Sequence, residues 1–185
     1  MELKESKTID IAVIDVNNAI SNKIESIIYC VNKKTCVLPA LTSEYNEEYC
    51  LENNIDIVKM PNEGGALVIT NGDIEIAHIS KYFNNDFKTR FLNYISEYLI
   101  QKGINNKITN NDILIEKYKI CGCSSVYRNE MLFTAIHLSI NCELELIKNI
   151  CQKEMIKVPK GLSDYGITTN ELLEKVLLFL EKEKG

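Results

Sequence analysis

The sequence predicts an α+β fold, a mixed and largely antiparallel β-sheet flanked by helices, on three observations. Short runs rich in Ile, Val, Leu and Tyr recur between residues 9 and 140, several of them separated by Asn, Gly and Asp turn residues. Two longer stretches, about residues 85–102 and 168–180, space their apolar side chains as a helix does. Helices interrupt the strands only a few times, without the regular alternation of a parallel sheet. With 185 residues, 45% hydrophobic and 25% charged, and no repeat or linker, the chain reads as one domain over residues 1–185.

Taken in order, residues 9–16 alternate and read as a strand, and residues 26–31 and 36–38 read as a hairpin around Asn32-Lys33-Lys34. Residues 43–53 suit a short helix with an acidic first turn, and residues 55–59 return to a β pattern before Pro61 and Gly64-Gly65. Strands at 66–70 and 74–79 flank Asn71-Gly72-Asp73, a strong hairpin signal. The helix over 85–102 puts Phe87, Phe91, Tyr94, Ile95, Tyr98 and Leu99 on one stripe, which must pack on a sheet, and Gly103 ends it. Residues 113–115, 118–121 and 131–140 read as strands, 143–152 as a helix and 157–167 as a loop. Thr168-Thr169-Asn170-Glu171 is a capping-box pattern opening a last helix that buries Leu172, Leu173, Val176, Leu177 and Leu180.

The net charge of −5 argues against a general electrostatic grip on nucleic acid or an anionic membrane. The charged, alternating N-terminus is no secretory signal, and no apolar run approaches the roughly 20 residues of a membrane span. A cytoplasmic protein with reduced thiols is therefore expected. The seven cysteines include no C-x-x-C and the two histidines stand alone on strand-like segments, so no metal site is expected and the cysteines read as small buried side chains.

Two segments have chemical potential. Met60-Pro61-Asn62-Glu63-Gly64-Gly65-Ala66 is a turn entering a strand, whose glycines either serve the turn alone or let a phosphate or acyl-adenylate approach the backbone. Residues 110–124 form a hairpin in which Lys119 precedes Ile120-Cys121-Gly122 on the returning strand. A lysine there is either a solvated surface residue or an ammonium placed to neutralise an acyl carbonyl or phosphate.

These segments resemble, in order and distance, motifs of the lipoate-protein ligase, octanoyltransferase and biotin ligase superfamily. The ligases' Ser-Gly-Gly-Gly-Ala-Val-Tyr-His-Asp run is similar to Asn62-Glu63-Gly64-Gly65-Ala66-Leu67-Val68-Ile69-Thr70. Their Arg-Asn-Asp-Leu and Lys-Ile-Ser-Gly-Ser runs resemble Asn110-Asn111-Asp112-Ile113 and Lys119-Ile120-Cys121-Gly122-Cys123, and Leu-Leu-Leu-Asn-Ala-Asp-Leu resembles Leu138-Ser139-Ile140-Asn141-Cys142-Glu143-Leu144. The resemblance implies a tunnel for lipoate or a medium-chain acyl group such as octanoate, activation with ATP/Mg as acyl-AMP, and transfer to a lysine of a lipoyl carrier domain. It implies that Lys119 contacts the acyl carbonyl and phosphate, that Asn111 and Asp112 meet the nucleotide and metal-phosphate region, and that Gly64, Gly65, Ala66 and Gly122 line the acyl and nucleotide site.

Departures stand beside the matches. Lys59-Met60-Pro61 replaces an arginine pair, Ile69-Thr70 a His-Asp, and Ala135-Ile136-His137 a His-Gly-Thr run. A lysine does not reproduce the bidentate fork of an arginine, so a non-catalytic member that binds an acyl group, nucleotide or carrier is the alternative. The octanoyltransferases' Pro-Cys-Gly-Ile loop resembles Pro159-Lys160-Gly161-Leu162, with Lys160 at the cysteine position, where an amine would give a stable amide instead of a transferable thioester. Cys121 and Cys123 are weaker candidates, as thiols beside Lys119 whose pKa a neighbouring ammonium would lower. The chain stops soon after the core, so no C-terminal accessory domain is expected and a separate accessory protein is an implied partner. An acidic chain would need a local basic patch, such as Lys102, Lys107, Lys117 and Lys119, to recognise an acidic carrier.

Overall fold

The computed structural model describes residues 1–39, 44–59, 66–81, 86–151 and 157–184. In chain order these form β1 (Glu2–Glu5), α1 (Ile9–Ser21), β2 (Ser26–Val31), β3 (Cys36–Leu38), α2 (Glu47–Glu52), β4 (Asp56–Ile57), β5 (Leu67–Ile69) and β6 (Ile74–Ser80). There follow α3 (Phe87–Gln101), β7 (Lys107–Thr109), β8 (Asp112–Ile115), β9 (Tyr118–Arg128), β10 (Met131–Leu138), α4 (Leu144–Ile150), a 3-10 turn (Leu162–Tyr165) and α5 (Thr169–Lys184). The fold is α+β, as expected. A seven-stranded sheet runs β1-β2-β6-β10-β9-β8-β7, antiparallel except for β1 beside β2, and a three-stranded sheet runs β4-β3-β5.

Helices α3 and α5 cover one face of the large sheet. Phe87, Phe91, Ile95 and Leu99 of α3 and Leu172, Val176, Phe179 and Leu180 of α5 pack on Ile27, Ile76, Ile113, Ile136 and Leu138. The stripe expected on α3 is thus the buried one, and Gly103 (φ 77°) follows the helix in the left-handed conformation. At α5, Thr168 Oγ1 accepts from the Glu171 amide at 3.3 Å, the cap that the Thr-Thr-Asn-Glu pattern predicts. On the opposite face α1 and the small sheet enclose Ile28, Cys30, Ala77, Ile79, Met131 and Phe133.

Three expectations need correction. Residues 9–16 are not a strand but the first half of α1. Ile9, Ala12, Val13, Val16, Ala19 and Ile20 form a buried stripe at three- and four-residue spacing, and Thr8 caps the helix by accepting from the Ile11 amide at 3.5 Å. Alternation over eight residues fits either period, and the stripe that separates them lies further on. The other two are the expected hairpins: β2 and β3, and likewise β5 and β6, do not pair but belong to different sheets.

Asp73 explains both crossings. Its buried carboxylate accepts from the Thr70 amide at 2.7 Å and hydroxyl at 3.0 Å, and from the Ile140 and Asn141 amides at 2.6 and 3.3 Å. The Asn32 amide donates to the Asp73 carbonyl and the Gly72 amide to the Asn32 carbonyl, each at 2.8 Å, while Asn32 Nδ2 reaches the Thr70 carbonyl at 3.0 Å. The chain thus passes twice between sheets through one buried knot, and the polar groups that a hairpin would pair are satisfied there instead.

The loop after β10 is held as closely. A Cβ added to Gly161 would lie 2.3 Å from the Ile140 carbonyl oxygen and 2.8 Å from the Cys142 nitrogen, both backbone atoms that cannot swing aside. Gly161→Ala is therefore expected to lower stability by about 1–3 kcal/mol, read as an earlier midpoint in urea with an unchanged slope; an unchanged midpoint would contradict this packing.

Candidate functional site

The site begins with an irregularity in the β8–β9 hairpin. Asp112 pairs with Gly122 and Ile113 with Cys121, but the next partner of Leu114 is Lys119, which leaves Ile120 as an extra residue. In a regular strand, residues three apart point to opposite faces. One inserted residue returns Lys119 to the face of Gly122. The bulge is well satisfied: the Ile120 carbonyl accepts from the Ser139 amide at 3.0 Å, the Lys119 amide donates to the Val158 carbonyl at 2.9 Å, and the Lys119 carbonyl accepts from the Lys160 amide at 3.0 Å.

Gly122 leaves the room that Lys119 uses. A Cβ there would lie 2.5 Å from Lys119 Cε and 2.6 Å from Nζ, so the ammonium rests directly over the glycine. From that position Nζ donates to Asp112 Oδ1 at 2.9 Å. The other carboxylate oxygen, Oδ2, accepts from Lys157 Nζ, which also donates to Thr109 Oγ1 at 3.2 Å. Burial by itself would raise the pKa of Asp112, but the hydrogen bonds from Lys157 and Lys119 outweigh it and hold the carboxyl below its ordinary value. Two ammonium groups on one carboxylate leave this end of the site with a net positive charge.

The ammonium pair lies at a cleft of about 160 Å³ between the two sheets. Ala66, Leu67 and Val68 form one wall, Ile147 and Cys151 another, and Lys119, Lys157, His137 and Ser139 the polar part. A mostly apolar cleft with a cationic end suits an apolar chain that finishes in a carboxylate or phosphate.

His137 and Glu75 continue the polar row. His137 on β10 lies opposite Gly122 on one side and Glu75 of β6 on the other. Its Nδ1 hydrogen-bonds Glu75 Oε1. Burial would lower the imidazole's pKa, but the carboxylate beside it outweighs burial and the value moves up; burial also raises that of Glu75, against the opposing pull of His137.

Of the residues anticipated from sequence, Lys119, Ala66 and Cys121 line the cleft, and Asp112 and Gly122 meet Lys119 beside it. Gly64 and Gly65 lie outside the described residues. Asn111 does not join Asp112: it is exposed, and its side-chain oxygen accepts from Lys88 of α3 at 2.7 Å. Lys160 stacks over the rings of Tyr165 and Tyr118, with centroids at 4.6 and 5.1 Å. The expectation that Lys119 would lower the Cys121 pKa needs correction. Cys121 is fully buried in the core under α3, where the hydrogen bond with Cys123 and then burial push its thiol well above the ordinary value; Lys119 acts the other way and is outweighed. Cys123 packs half-buried against the same core. Of the four lysines considered as a basic patch, Lys102 is engaged by Glu171 and Lys119 by Asp112.

Lys157, His137 and Glu75 were not anticipated. The available signal was a carboxylate and an imidazole among the apolar residues of strands 74–80 and 131–138, which also hold His78, Ser80 and Thr134.

The lipoyl protein ligase A/B catalytic domain family matches residues 17–176. Lipoate–protein ligase 1 of Staphylococcus aureus is 28% identical over 123 residues, 64% of this chain and 38% of that protein. The crystal structure of P. falciparum LipL1 in complex with lipoate superposes with a TM-score of 0.79 at 15% identity, over 98% of this chain and 61% of that one. The bipartite lipoate protein ligase of Thermoplasma acidophilum, from a structural analysis that includes its E2 lipoyl domain, gives 0.77 at 14% identity, over 98% and 82%. The chain thus spans less than two thirds of the first two relatives, and with a match over most of its own length it belongs to the lipoyl protein ligase A/B catalytic domain family.

Proposed function

We propose that the chain takes part in acyl attachment, joining a lipoyl or medium-chain acyl group through acyl-AMP to a lysine of a lipoyl carrier domain. The observation that carries this reading is Lys119, its ammonium fixed over Gly122 at the polar end of an apolar cleft. The relative solved with lipoate supports the acyl class, and the one analysed with an E2 lipoyl domain supports the acceptor. ATP/Mg as the activating co-substrate and a separate accessory protein belong to the same reading.

Each residue then has a definite task. The walls at Ala66, Leu67 and Val68 align the acyl chain, and Lys119 and Lys157 draw its carboxylate and the phosphate to one place. Both steps place negative charge on oxygens at that point, and two preoriented ammonium groups stabilise it without reorganisation. Asp112 holds the ammonium groups in position before substrate arrives. The donor set fits a nucleotide phosphate: two cations sharing one carboxylate have charge to spare.

One observation favours the alternative of a binding protein without turnover. Ile69 and Thr70, at the place of the relatives' His-Asp, are buried, and the Thr70 hydroxyl is engaged by Asp73 and the Asn141 carbonyl.

Incubation with ATP, Mg²⁺, octanoate or lipoate and a lipoyl domain, with and without an accessory subunit, is expected to add one acyl mass to the carrier. Lys119→Ala should slow this about 100- to 1,000-fold. Tight ligand binding with no mass gain under any combination would favour the alternative.

Gly122→Ala meets the flexible end of the Lys119 side chain, where Gly161→Ala meets backbone, so it is expected to move the urea midpoint less than Gly161→Ala does while lowering turnover about 100-fold. Equal loss of both would contradict the geometry. Because the folded pKa of Asp112 lies below its unfolded value, its ion pairs stabilise the fold above about pH 4 and lose that contribution as pH falls through the folded value. The stability difference between wild type and Asp112→Asn should therefore shrink on acidification from pH 5 to pH 2, measured by denaturant titration; a difference constant across that range would contradict the pairing.

A further inference from the structure

We propose that His137, oriented by Glu75, is the proton acceptor for the carrier lysine as it attacks the acyl carbon. The inference rests on the acyl-attachment reading above and adds a group to it. That reading supplies cations for the developing negative charge, but no group to take the proton that the attacking nitrogen must lose.

Three observations point to His137. It lines the cleft together with Lys119. It sits directly across from Gly122, over which the Lys119 ammonium rests, and cross-strand neighbours are about 5 Å apart at Cβ. Its Nδ1 is engaged by Glu75, which leaves Nε2 for proton exchange in the arrangement of a base held by a carboxylate. The side chains of His137 and Glu75 are only 12% and 13% exposed. A buried ionic pair is costly, and apolar residues would serve the sheet at least as well, as Ala77 and Ala135 do beside it on the same face. In the resemblance, position 137 corresponds to the Thr of His-Gly-Thr, so the imidazole is not part of that motif.

The step balances as follows. The neutral amine of the carrier lysine forms the C–N bond to the acyl carbon, the bond from that carbon to the AMP oxygen breaks, and AMP leaves with the electron pair. The proton lost by the nitrogen passes to His137 Nε2 and from there to solvent. Lys119 holds the carbonyl and phosphate charge while this happens. The charged groups acting on His137 are Glu75 of β6, Asp73 in the turn before it and Lys119 of β9; α1, packed beside Glu75, presents the apolar Ile9, Ala12 and Val13.

The test separates the two half-reactions of the whole chain: octanoate-dependent ATP–pyrophosphate exchange, and single-turnover transfer from preformed octanoyl-AMP to a lipoyl domain. His137→Gln is expected to slow transfer about 100-fold and exchange far less, and added imidazole should partly restore transfer in His137→Ala. In wild type, transfer should rise with pH through an inflection above about 6.5, the ordinary imidazole value. Glu75→Gln should move that inflection to lower pH, because the carboxylate that favours the protonated ring is gone. Wild-type transfer by His137→Gln, an inflection unmoved by Glu75→Gln, or equal loss of both half-reactions would overturn the proposal while leaving the ligase reading intact. Absence of both half-reactions in wild type, with and without an accessory subunit, would overturn that reading and this inference with it.

Discussion

The site depends on one extra residue, Ile120, in β9. Without it Lys119 would point to the face opposite Gly122, toward the hydrophobic core under α3. With it, the lysine stem is carried to the cleft, and the ammonium meets Asp112 over a glycine that leaves the necessary space. A bulge costs ladder hydrogen bonds, and here the loss is offset from outside the hairpin, by Ser139 just past β10 and by the 158–160 segment. The same contacts that make the irregularity stable bring Lys157 and Pro159 to the cleft. Local backbone geometry and site assembly are therefore one event.

The second constraint is the knot at Asp73. A cleft between two sheets requires the chain to leave one sheet and join the other, and each crossing strands backbone groups that a hairpin would have paired. Asp73, Asn32 and Thr70 take up those groups at a single buried point, which also receives the amides that follow β10. The two sheets are thus held together next to the strand that carries Glu75. Along the row from Glu75 through His137 and Lys119 to Asp112 and Lys157, the imidazole and each ammonium lie beside a carboxylate.

What could be read in the sequence follows from the range of the forces involved. The α3 stripe ending at Gly103, the cap at Thr168 and the hairpin carrying Lys119 are decided within about a dozen residues, and all three were legible. Helix α1 was misread because its first eight residues satisfy both periods, and only Ala19 and Ile20 separate them. The two false hairpins had good turn residues, but Asp73 uses its turn to bind the segment after β10, 67 residues further on. Lys119 and Asp112 could be picked out by resemblance, whereas Lys157 meets Asp112 across 45 residues and His137 meets Glu75 across 62. Neither pairing leaves a local pattern. Cys121 shows the converse: two residues from Lys119 in sequence, it faces the core while the bulge turns Lys119 away from it, and its thiol is pushed well above the ordinary value.

The central claim is that the bulge aims Lys119 at the carbonyl and phosphate of an activated acyl group. A crystal structure of the protein with a non-hydrolysable acyl-adenylate analogue tests it most directly. The account predicts the acyl chain along Ala66, Leu67 and Val68, with Lys119 Nζ within hydrogen-bond distance of the carbonyl or phosphate oxygen and Ile120 still bulged. An analogue bound away from this cleft, or one seated in it while Lys119 reaches neither oxygen, would contradict the account.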